Sequence, residues 1–191
     1  MDQCDYPWGV ALTPDHAHLV VADFNNQRLV VRDATDGRAV STLTPAAGVL
    51  PNPRGVVVVP HTGQLLVTDI GRHQAVLFGG LADATVVRVF GEGRGSGDRQ
   101  LNCPYGVALV SASDVALAAD PSAVAAAAAE RDPTLVAIAD TFNHRVVLYR
   151  LADAAFVRRF GSQGGAPGQF QYPRSVASVL VVVTCSNPYM S

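Results

Sequence analysis

The sequence has few charged residues and few cysteines. Asp, Glu, Lys and Arg make up 16% of the 191 residues, and the formal net charge is -2. No basic field of the kind that drives association with nucleic acids or anionic membranes is therefore expected. The three cysteines, Cys4, Cys103 and Cys185, lie far apart and show no CxxC spacing. We expect reduced thiols and no cysteine-based metal site.

Targeting signals and long apolar segments are also missing. No basic n-region followed by an apolar h-region opens the chain. The longest strongly apolar stretch, from Val176 to Cys185, is about half of what a membrane span needs. We expect no membrane association, and a cytoplasmic or alternatively nuclear location.

Apolar residues are plentiful at 49%, which is enough for a buried core, and they fall into repeated phrases. The phrase x-P-x-G-V-x-[LV] begins each repeat, at residues 6–12, 52–58 and 103–109 and, with Ser in place of Gly, at 172–177. A second phrase ends in Asp, at residues 19–23, 65–69 and 135–140. Two further apolar runs follow, at residues 28–31, 74–78 and 145–149 and at 39–43, 86–91 and 156–161.

These runs are short, rich in Val, Leu and aromatic residues, and bounded by Gly, Pro, Asn or Asp, as expected of short strands. Four strands at a period near 46 residues, from Pro7 to Pro53, describe a propeller blade. We predict an all-β fold in one domain, residues 1–191: a partial β-propeller of four-stranded antiparallel blades. The expected blades are residues 6–43, 52–90 and 103–160, with the start of a fourth at 172–183.

The third repeat contains an insertion at residues 111–133. Asp120 and Pro121 form a helix-start signal, Ala123 to Ala129 has high helix propensity, and Pro133 ends it. We predict a short Ala-rich helix in the loop between the first and second strands of this blade. A partner-docking lid and padding of a surface loop are the two interpretations, and we favour padding because Ala side chains offer a partner little to hold.

Glycine recurs two residues after the repeated proline, as Gly9, Gly55 and Gly106, and Ser175 takes this place in the fourth copy. A residue without a Cβ, entering the innermost strand, lets backbones crowd around a central channel. We interpret these glycines as structural.

An aspartate ends the second strand of each repeat, as Asp23, Asp69 and Asp140. A carboxylate in front of a turn can accept backbone N–H bonds or pair with a downstream arginine, here Arg28 or Arg145. A residue that recurs in every blade indicates a task performed in every blade. We therefore assign these acids to structure and name no catalytic residue.

Residues 139–146, Ala-Asp-Thr-Phe-Asn-His-Arg-Val, resemble the signature of the NHL-repeat family. Residues 22–29 carry a second copy, and residues 68–75 a degenerate copy in the same register. The linker at residues 160–173 resembles the inter-blade phrase of that family. The resemblance covers nearly the whole chain and implies a propeller, but propellers of this family host unrelated activities.

Candidate binding residues are the basic and histidine side chains expected on loops at one propeller face: Arg28, Arg54, Arg72, His73, His144, Arg145 and Arg174. The five histidines assemble no ligand set, so we expect no metal and no cofactor. The Gly-rich segment at residues 91–97 lacks the Gly-Lys-Ser/Thr ending of a phosphate loop, and we interpret it as a connector between blades.

These observations favour a non-catalytic binding or scaffold module that presents loops to a protein or peptide partner. The NHL resemblance implies a further role, substrate recognition in a ubiquitin-ligase-like protein, although the sequence has no RING-type cysteine pattern. Two alternatives stay open. One is a metal-dependent lyase or hydrolase resembling the amidating-lyase propellers, and the other is single-stranded RNA binding, which the interspersed acids disfavour.

Three blades and one strand cannot close a ring, and an open arc exposes apolar blade faces. We expect a piece of a longer propeller. The alternative is a head-to-tail homodimer in which three blades from each chain complete one ring.

Overall fold

The computed structural model describes residues 3–111, 134–177 and 182–185. These residues form three four-stranded antiparallel sheets and one two-stranded sheet. The predicted all-β fold of four-stranded antiparallel blades is confirmed. The predicted Ala-rich helix lies in residues 112–133, outside the described residues. In the part of the chain that the structure describes, no helix combines the length and apolar character needed to cross a membrane.

Each blade is a meander in which consecutive strands pair. Blade 1 contains strands β1 to β4: Pro7–Leu12, His18–Asp23, Arg28–Asp33 and Ala39–Leu43. Blade 2 contains β5 to β8: Pro53–Val58, Leu65–Asp69, Gln74–Gly80 and Asp83–Phe90. Blade 3 contains β9 to β12: Pro104–Ser111, Thr134–Asp140, Arg145–Arg150 and Phe156–Phe160. A 3-10 turn at Thr141–Asn143 lies between β10 and β11.

The fourth sheet pairs β13, Pro173–Ala177, with β14, Val182–Cys185. The sequence predicted only one strand here, because this repeat has no copy of the Asp-ending phrase. β14 is a Val-rich segment that pairs antiparallel with β13 without that phrase. The start of a fourth blade therefore contains two strands.

The strand registers place the repeated residues opposite one another. In each blade the aspartate that ends the second strand lies across from the first residue of the third strand, in the pairs Asp23 with Arg28, Asp69 with Gln74 and Asp140 with Arg145. The same aspartate lies across from the repeated proline of the innermost strand, in the pairs Asp23 with Pro7, Asp69 with Pro53 and Asp140 with Pro104. The backbones of three strands of each blade therefore meet at one aspartate.

The hydrophobic core lies between blades. In β6, Leu65 and Val67 pack in the cluster shared with blade 1, whereas Leu66 packs in the cluster shared with blade 3. All five residues of β6 are buried. Because side chains alternate between the faces of a strand, both faces of β6 are covered. This explains why β6 begins with a continuous apolar run.

The innermost strands approach one another closely at the centre of the arc. A Cβ added to Gly55 would lie 2.5 Å from the carbonyl oxygen of Tyr105 in the next blade. A Cβ added to Gly106 would lie 2.8 Å from the carbonyl oxygen of Arg174. Real Cβ atoms do not approach backbone this closely, so the strands could not lie where they do with a larger residue at these positions.

One face of blade 1 is open to solvent in the described part of the chain. Val10 and Leu12 are 61% and 47% exposed, whereas Val56 and Val58, at the same positions of blade 2, are 5% and 9% exposed. The blade 2 residues are buried because blade 1 covers them. The head-to-tail homodimer, which would cover the equivalent face of blade 1, stays a prediction.

Candidate functional site

The aspartate of blade 1 is fully buried and hydrogen-bonded on both oxygens. Asp23 accepts the backbone N–H of Asp5 at 2.7 Å, the Nε–H of Arg28 at 2.7 Å and the side-chain amide of Asn26. Burial alone would raise the pKa of Asp23, but the hydrogen bonds from Arg28 and Asn26 outweigh it and lower the pKa. Asp23 joins the segment before β1 to the start of β3.

The aspartate of blade 3 makes the same contacts. Asp140 accepts the backbone N–H of Asn102 at 2.6 Å, the Asn143 amide at 2.8 Å and the Nε–H of Arg145 at 2.6 Å. The guanidinium of Arg145 also donates to three carbonyl oxygens between blades 2 and 3, those of Ser96 and Gly97 in the Gly-rich segment and that of Gln100 after it. This segment therefore directs carbonyl oxygens at a cation. A phosphate loop does the opposite, because it directs backbone N–H groups at an anion.

Blade 2 departs from this pattern because Gln74 stands where the other blades have arginine. Asp69 accepts the backbone N–H groups of Asn52 at 2.6 Å and Arg72 at 2.7 Å. Burial raises the pKa of Asp69, and no guanidinium donates to it to offset the burial within the described residues. The side chain of Arg72 instead donates to the carbonyl oxygen of Gly48 at 2.7 Å.

Both candidate binding histidines connect neighbouring repeats. His73 and His144 have φ values of 56° and 54°, in the left-handed region. The Nδ1 atom of His73 accepts the backbone N–H of Cys103 at 3.0 Å, and that of His144 accepts the N–H of Tyr172 at 3.2 Å. Burial lowers the pKa of His73, which favours the neutral ring that can accept at Nδ1. Both rings therefore contact the backbone of the following repeat.

Among residues 3–111, 134–177 and 182–185, no group of three or more His, Cys, Asp or Glu side chains lies close enough to hold a metal ion. The lyase alternative has no donor set in that part of the chain.

A cavity of about 410 Å³ lies where the four innermost strands meet. The residue that follows the repeated proline faces it in every repeat. We call these four residues the channel mouth: Trp8, Arg54, Tyr105 and Arg174. Aromatic and arginine side chains thus alternate from one repeat to the next.

Irregular strand pairing places these side chains. The register shifts between Pro7 and Val10 in blade 1 and between Pro53 and Val56 in blade 2. An irregularity of this kind in an antiparallel pair bends the strand and redirects a side chain. The residue after the proline is therefore free of regular pairing at the point where the strand enters the cavity.

Arg54 lies in an aromatic cage. Its guanidinium carbon is 3.7 Å from the centroid of the Trp8 ring, 4.5 Å from that of Tyr105 and 4.7 Å from that of Phe24. Its Nε and Nη1 atoms are sealed from solvent and have no hydrogen-bond partner among the described residues. Burial lowers the pKa of Arg54, and the nearby positive charge of Arg174 acts in the same direction.

The structure divides the candidate binding arginines into two groups. Arg28 and Arg145 pair with buried aspartates, and Arg72 donates to a backbone carbonyl. Arg54 and Arg174 both lie at the channel mouth, and neither forms an ion pair within the described residues. Of the seven predicted binding residues, the structure brings these two to one cavity.

Trp8, Tyr105 and Phe24 were not among the predicted site residues. The signal for Trp8 and Tyr105 is present in the repeats, since the position between the proline and the glycine differs in side-chain type while its neighbours recur. A position that varies within an otherwise repeated phrase is not restricted to one side-chain type by the fold of the blade. Phe24 lies in the turn after Asp23, and only the three-dimensional arrangement brings it to Arg54.

Comparison with known proteins agrees with this architecture. The NHL repeat family model matches residues 5–31, which supports the resemblance to NHL-repeat propellers. A solved structure of hydrazine synthase from Kuenenia stuttgartiensis superposes with a TM-score of 0.56 at 12% sequence identity. The match covers 89% of this chain and 38% of that one, so the chain spans well under half the length of that protein. No curated protein sequence matches the chain significantly.

Proposed function

We propose that this NHL-type propeller arc is a non-catalytic binding module that holds a segment of a protein partner at the channel mouth. The observation that carries the proposal is the Arg54 guanidinium, which is enclosed by three aromatic rings and has two nitrogen atoms without a hydrogen-bond partner among the described residues. Leaving donors of a buried cation unpaired costs stability, and a ligand that brings a counter-charge to the open side of the cage offsets that cost.

The size and lining of the cavity support this function. A volume of about 410 Å³ falls within the range of ligand sites. Tryptophan, tyrosine and arginine are the residue types that contribute most to protein binding, and the channel mouth consists of these three types. A peptide loop or tail is narrow enough to reach such a cavity, whereas a folded surface would contact only its rim.

Peptide binding is better supported than RNA binding. A single-stranded RNA site needs exposed aromatic faces for base stacking and a basic groove along the backbone. Here Arg28 and Arg145 are neutralised by buried aspartates, so these two arginines contribute no basic groove beyond the channel mouth. The positive charge that remains at the channel mouth comes from Arg54 and Arg174. These two groups suit one acidic side chain of a partner better than a run of phosphates.

We extend the proposal to substrate recognition for a ubiquitin-ligase-like protein. The resemblance to NHL propellers supports this extension, and the ligase chemistry would come from another segment or chain. Co-purification of a ubiquitin-conjugating or ligase component with this chain would support the extension. A reconstituted reaction in which the bound peptide never receives ubiquitin would contradict it.

The test is selection of binding peptides from a displayed random library on the immobilised chain, followed by affinity measurements with variants. Trp8→Ala removes a channel-mouth ring that is 44% exposed, and Val87→Ser changes an equally exposed residue on the outermost strand of blade 2. We expect Trp8→Ala to weaken the selected peptides by about tenfold or more, and Val87→Ser to leave their affinity unchanged. Equal affinities for both variants would contradict the proposal.

A further inference from the structure

Two guanidinium groups flank one ring at the channel mouth. The centroid of the Tyr105 ring lies 4.5 Å from the guanidinium carbon of Arg54 and 5.8 Å from that of Arg174. Arg54 is half-buried and Arg174 is exposed. The mouth therefore has one positive group held inside the aromatic cage and a second at its solvent side.

Neither positive charge is compensated by the protein in the described residues. Arg28 and Arg145 show how this chain treats an arginine with a structural task, since each donates to a buried aspartate at 2.7 Å or less. Arg54 has no such acid, although its surroundings exclude water from two of its nitrogen atoms. Placing an unpaired cation in such surroundings is unfavourable unless a counter-charge is supplied.

The cage also determines which chemistry fits. The rings of Trp8, Tyr105 and Phe24 lie within 4.7 Å of the guanidinium carbon, and Nε and Nη1 are sealed, so a ligand can contact the guanidinium only at Nη2. Nη2 carries two N–H donors, and a hydrogen bond from a guanidinium to a carboxylate is charge-assisted and stronger than one to a neutral acceptor. A neutral amide has one acceptor and one donor group, and its donor would oppose the guanidinium N–H.

We propose that the channel mouth is specific for a carboxylate, the side chain of an aspartate or glutamate in a partner peptide, bound between Arg54 and Arg174. The inference rests on the proposed binding function and specifies its ligand. The carboxylate accepts an N–H bond from Nη2 of Arg54, lies beside the guanidinium of Arg174 and neutralises one of the two positive charges. No covalent change occurs in the bound group.

The experiment compares each library-selected peptide with a twin in which its acidic residue is replaced by the matching amide. Dissociation constants are measured by calorimetry for the unmodified chain, Arg54→Met and Arg174→Gln. Arg99→Gln is the control, because Arg99 is 63% exposed and pairs with Glu92 away from the mouth. Arg174 is exposed, so its substitution tests the inference even if Arg54→Met lowers the yield of folded chain.

We expect the amide twin to bind the unmodified chain and Arg99→Gln about ten- to hundredfold more weakly than the acidic peptide. With Arg54→Met the two peptides should bind almost equally, and with Arg174→Gln the difference should shrink. An unchanged affinity for the amide twin, or the same loss in all four proteins, would overturn the carboxylate specificity.

The outcomes separate this inference from the proposed function. Selected peptides that lack acidic residues but lose affinity with Trp8→Ala overturn the carboxylate specificity and keep the binding site. Peptides that are insensitive to Trp8→Ala overturn the site and therefore both proposals. Salt-sensitive binding of oligouridylate, together with a failure to select any peptide, would also overturn both and assign the mouth to RNA.

Discussion

The guanidinium carbon of Arg54 lies 3.7 Å from the centroid of the Trp8 ring, although the two residues belong to different blades. They occupy the same position of the repeated phrase, directly after Pro7 and Pro53. The position therefore serves a contact between repeats that neither repeat makes alone. Cation–π attraction holds the pair, and it acts against the cost of keeping two donors of Arg54 unpaired.

This balance gives a stability prediction for two arginines. Arg54→Met should change the free energy of unfolding by no more than about 1 kcal/mol, because removing the unpaired donors offsets the lost cation–π attraction. Arg145→Met should cost about 3–5 kcal/mol, because it leaves the buried carboxylate of Asp140 without its cation. Denaturant titrations followed by circular dichroism measure both. Equal losses in the two variants would mean that Arg54 has a structural task like that of Arg145.

The crowding of innermost strands is tested at Gly55. Gly55→Ala should lower the free energy of unfolding by about 1–3 kcal/mol, because its Cβ would lie 2.5 Å from the backbone oxygen of Tyr105. Gly165→Ala is the matched control, since a Cβ there meets nothing within 4 Å. Gly165→Ala should leave the free energy of unfolding unchanged or raise it by up to about 1 kcal/mol. A neutral Gly55→Ala would show that the strands are farther apart than described.

At Tyr149 a substitution is expected to stabilise the fold, unlike Gly55→Ala. Its ring packs edge-on against Phe90 and Phe156 at centroid distances of 6.0 and 6.3 Å. Its hydroxyl is buried without a hydrogen-bond partner among the described residues, and burial raises its pKa. Tyr149→Phe keeps the ring contacts and removes the unpaired hydroxyl, so the free energy of unfolding should rise by about 1 kcal/mol. Thermal unfolding of the two proteins checks this, and a lower melting temperature for the variant would contradict it.

The contact between His73 and Cys103 predicts a pH dependence. The pKa of His73 is lowered by burial in the folded chain, so the stability from its neutral ring is fully present above the unfolded pKa near 6.5. That stability is lost as the pH falls through this value towards the lower folded pKa. His73→Gln introduces the residue that blade 1 has at this position, Gln27, which also adopts a left-handed φ.

Unfolding free energies of the two proteins should therefore be compared at about pH 7.5 and about pH 5.5. The unmodified chain should lose more stability than His73→Gln on acidification, because only the unmodified chain contains His73, whose pKa is lowered by burial. The two proteins differ only at residue 73, so every other titratable group contributes equally to both unfolding free energies. The same loss in both would show that the ring of His73 does not act as the acceptor for the Cys103 N–H.

The blades could be predicted from the sequence because their signals are local. The phrase around Pro7 and the apolar run ending at Asp23 fix two strands, and the structure places β2 at His18–Asp23, one residue longer than the predicted run. Spacing within a repeat decides these features, and the same spacing recurs in each blade. The second strand of the fourth sheet, β14, was not predicted because it lacks that phrase.

The candidate site could be predicted only in part. Arg54 and Arg174 were recognised as basic residues on the repeated phrase, but the sequence does not separate them from Arg28 and Arg145, which pair with aspartates. That separation depends on which side chains neighbouring blades bring together. The approach of Phe24 to Arg54 likewise joins residues 30 positions apart in different blades, and no local pattern encodes it.

The most direct test of binding at the channel mouth uses Trp8, the single tryptophan of the chain. Its ring lies against Arg54 and lines the cavity, so its fluorescence reports on that site alone. We predict that titration with a selected peptide changes the Trp8 emission with a saturation curve matching the calorimetric affinity. In Arg54→Met the curve should shift to higher peptide concentration, as expected for weaker binding. Tight peptide binding with unchanged Trp8 emission, and equal affinity for Arg54→Met, would contradict the assignment of the channel mouth as the binding site.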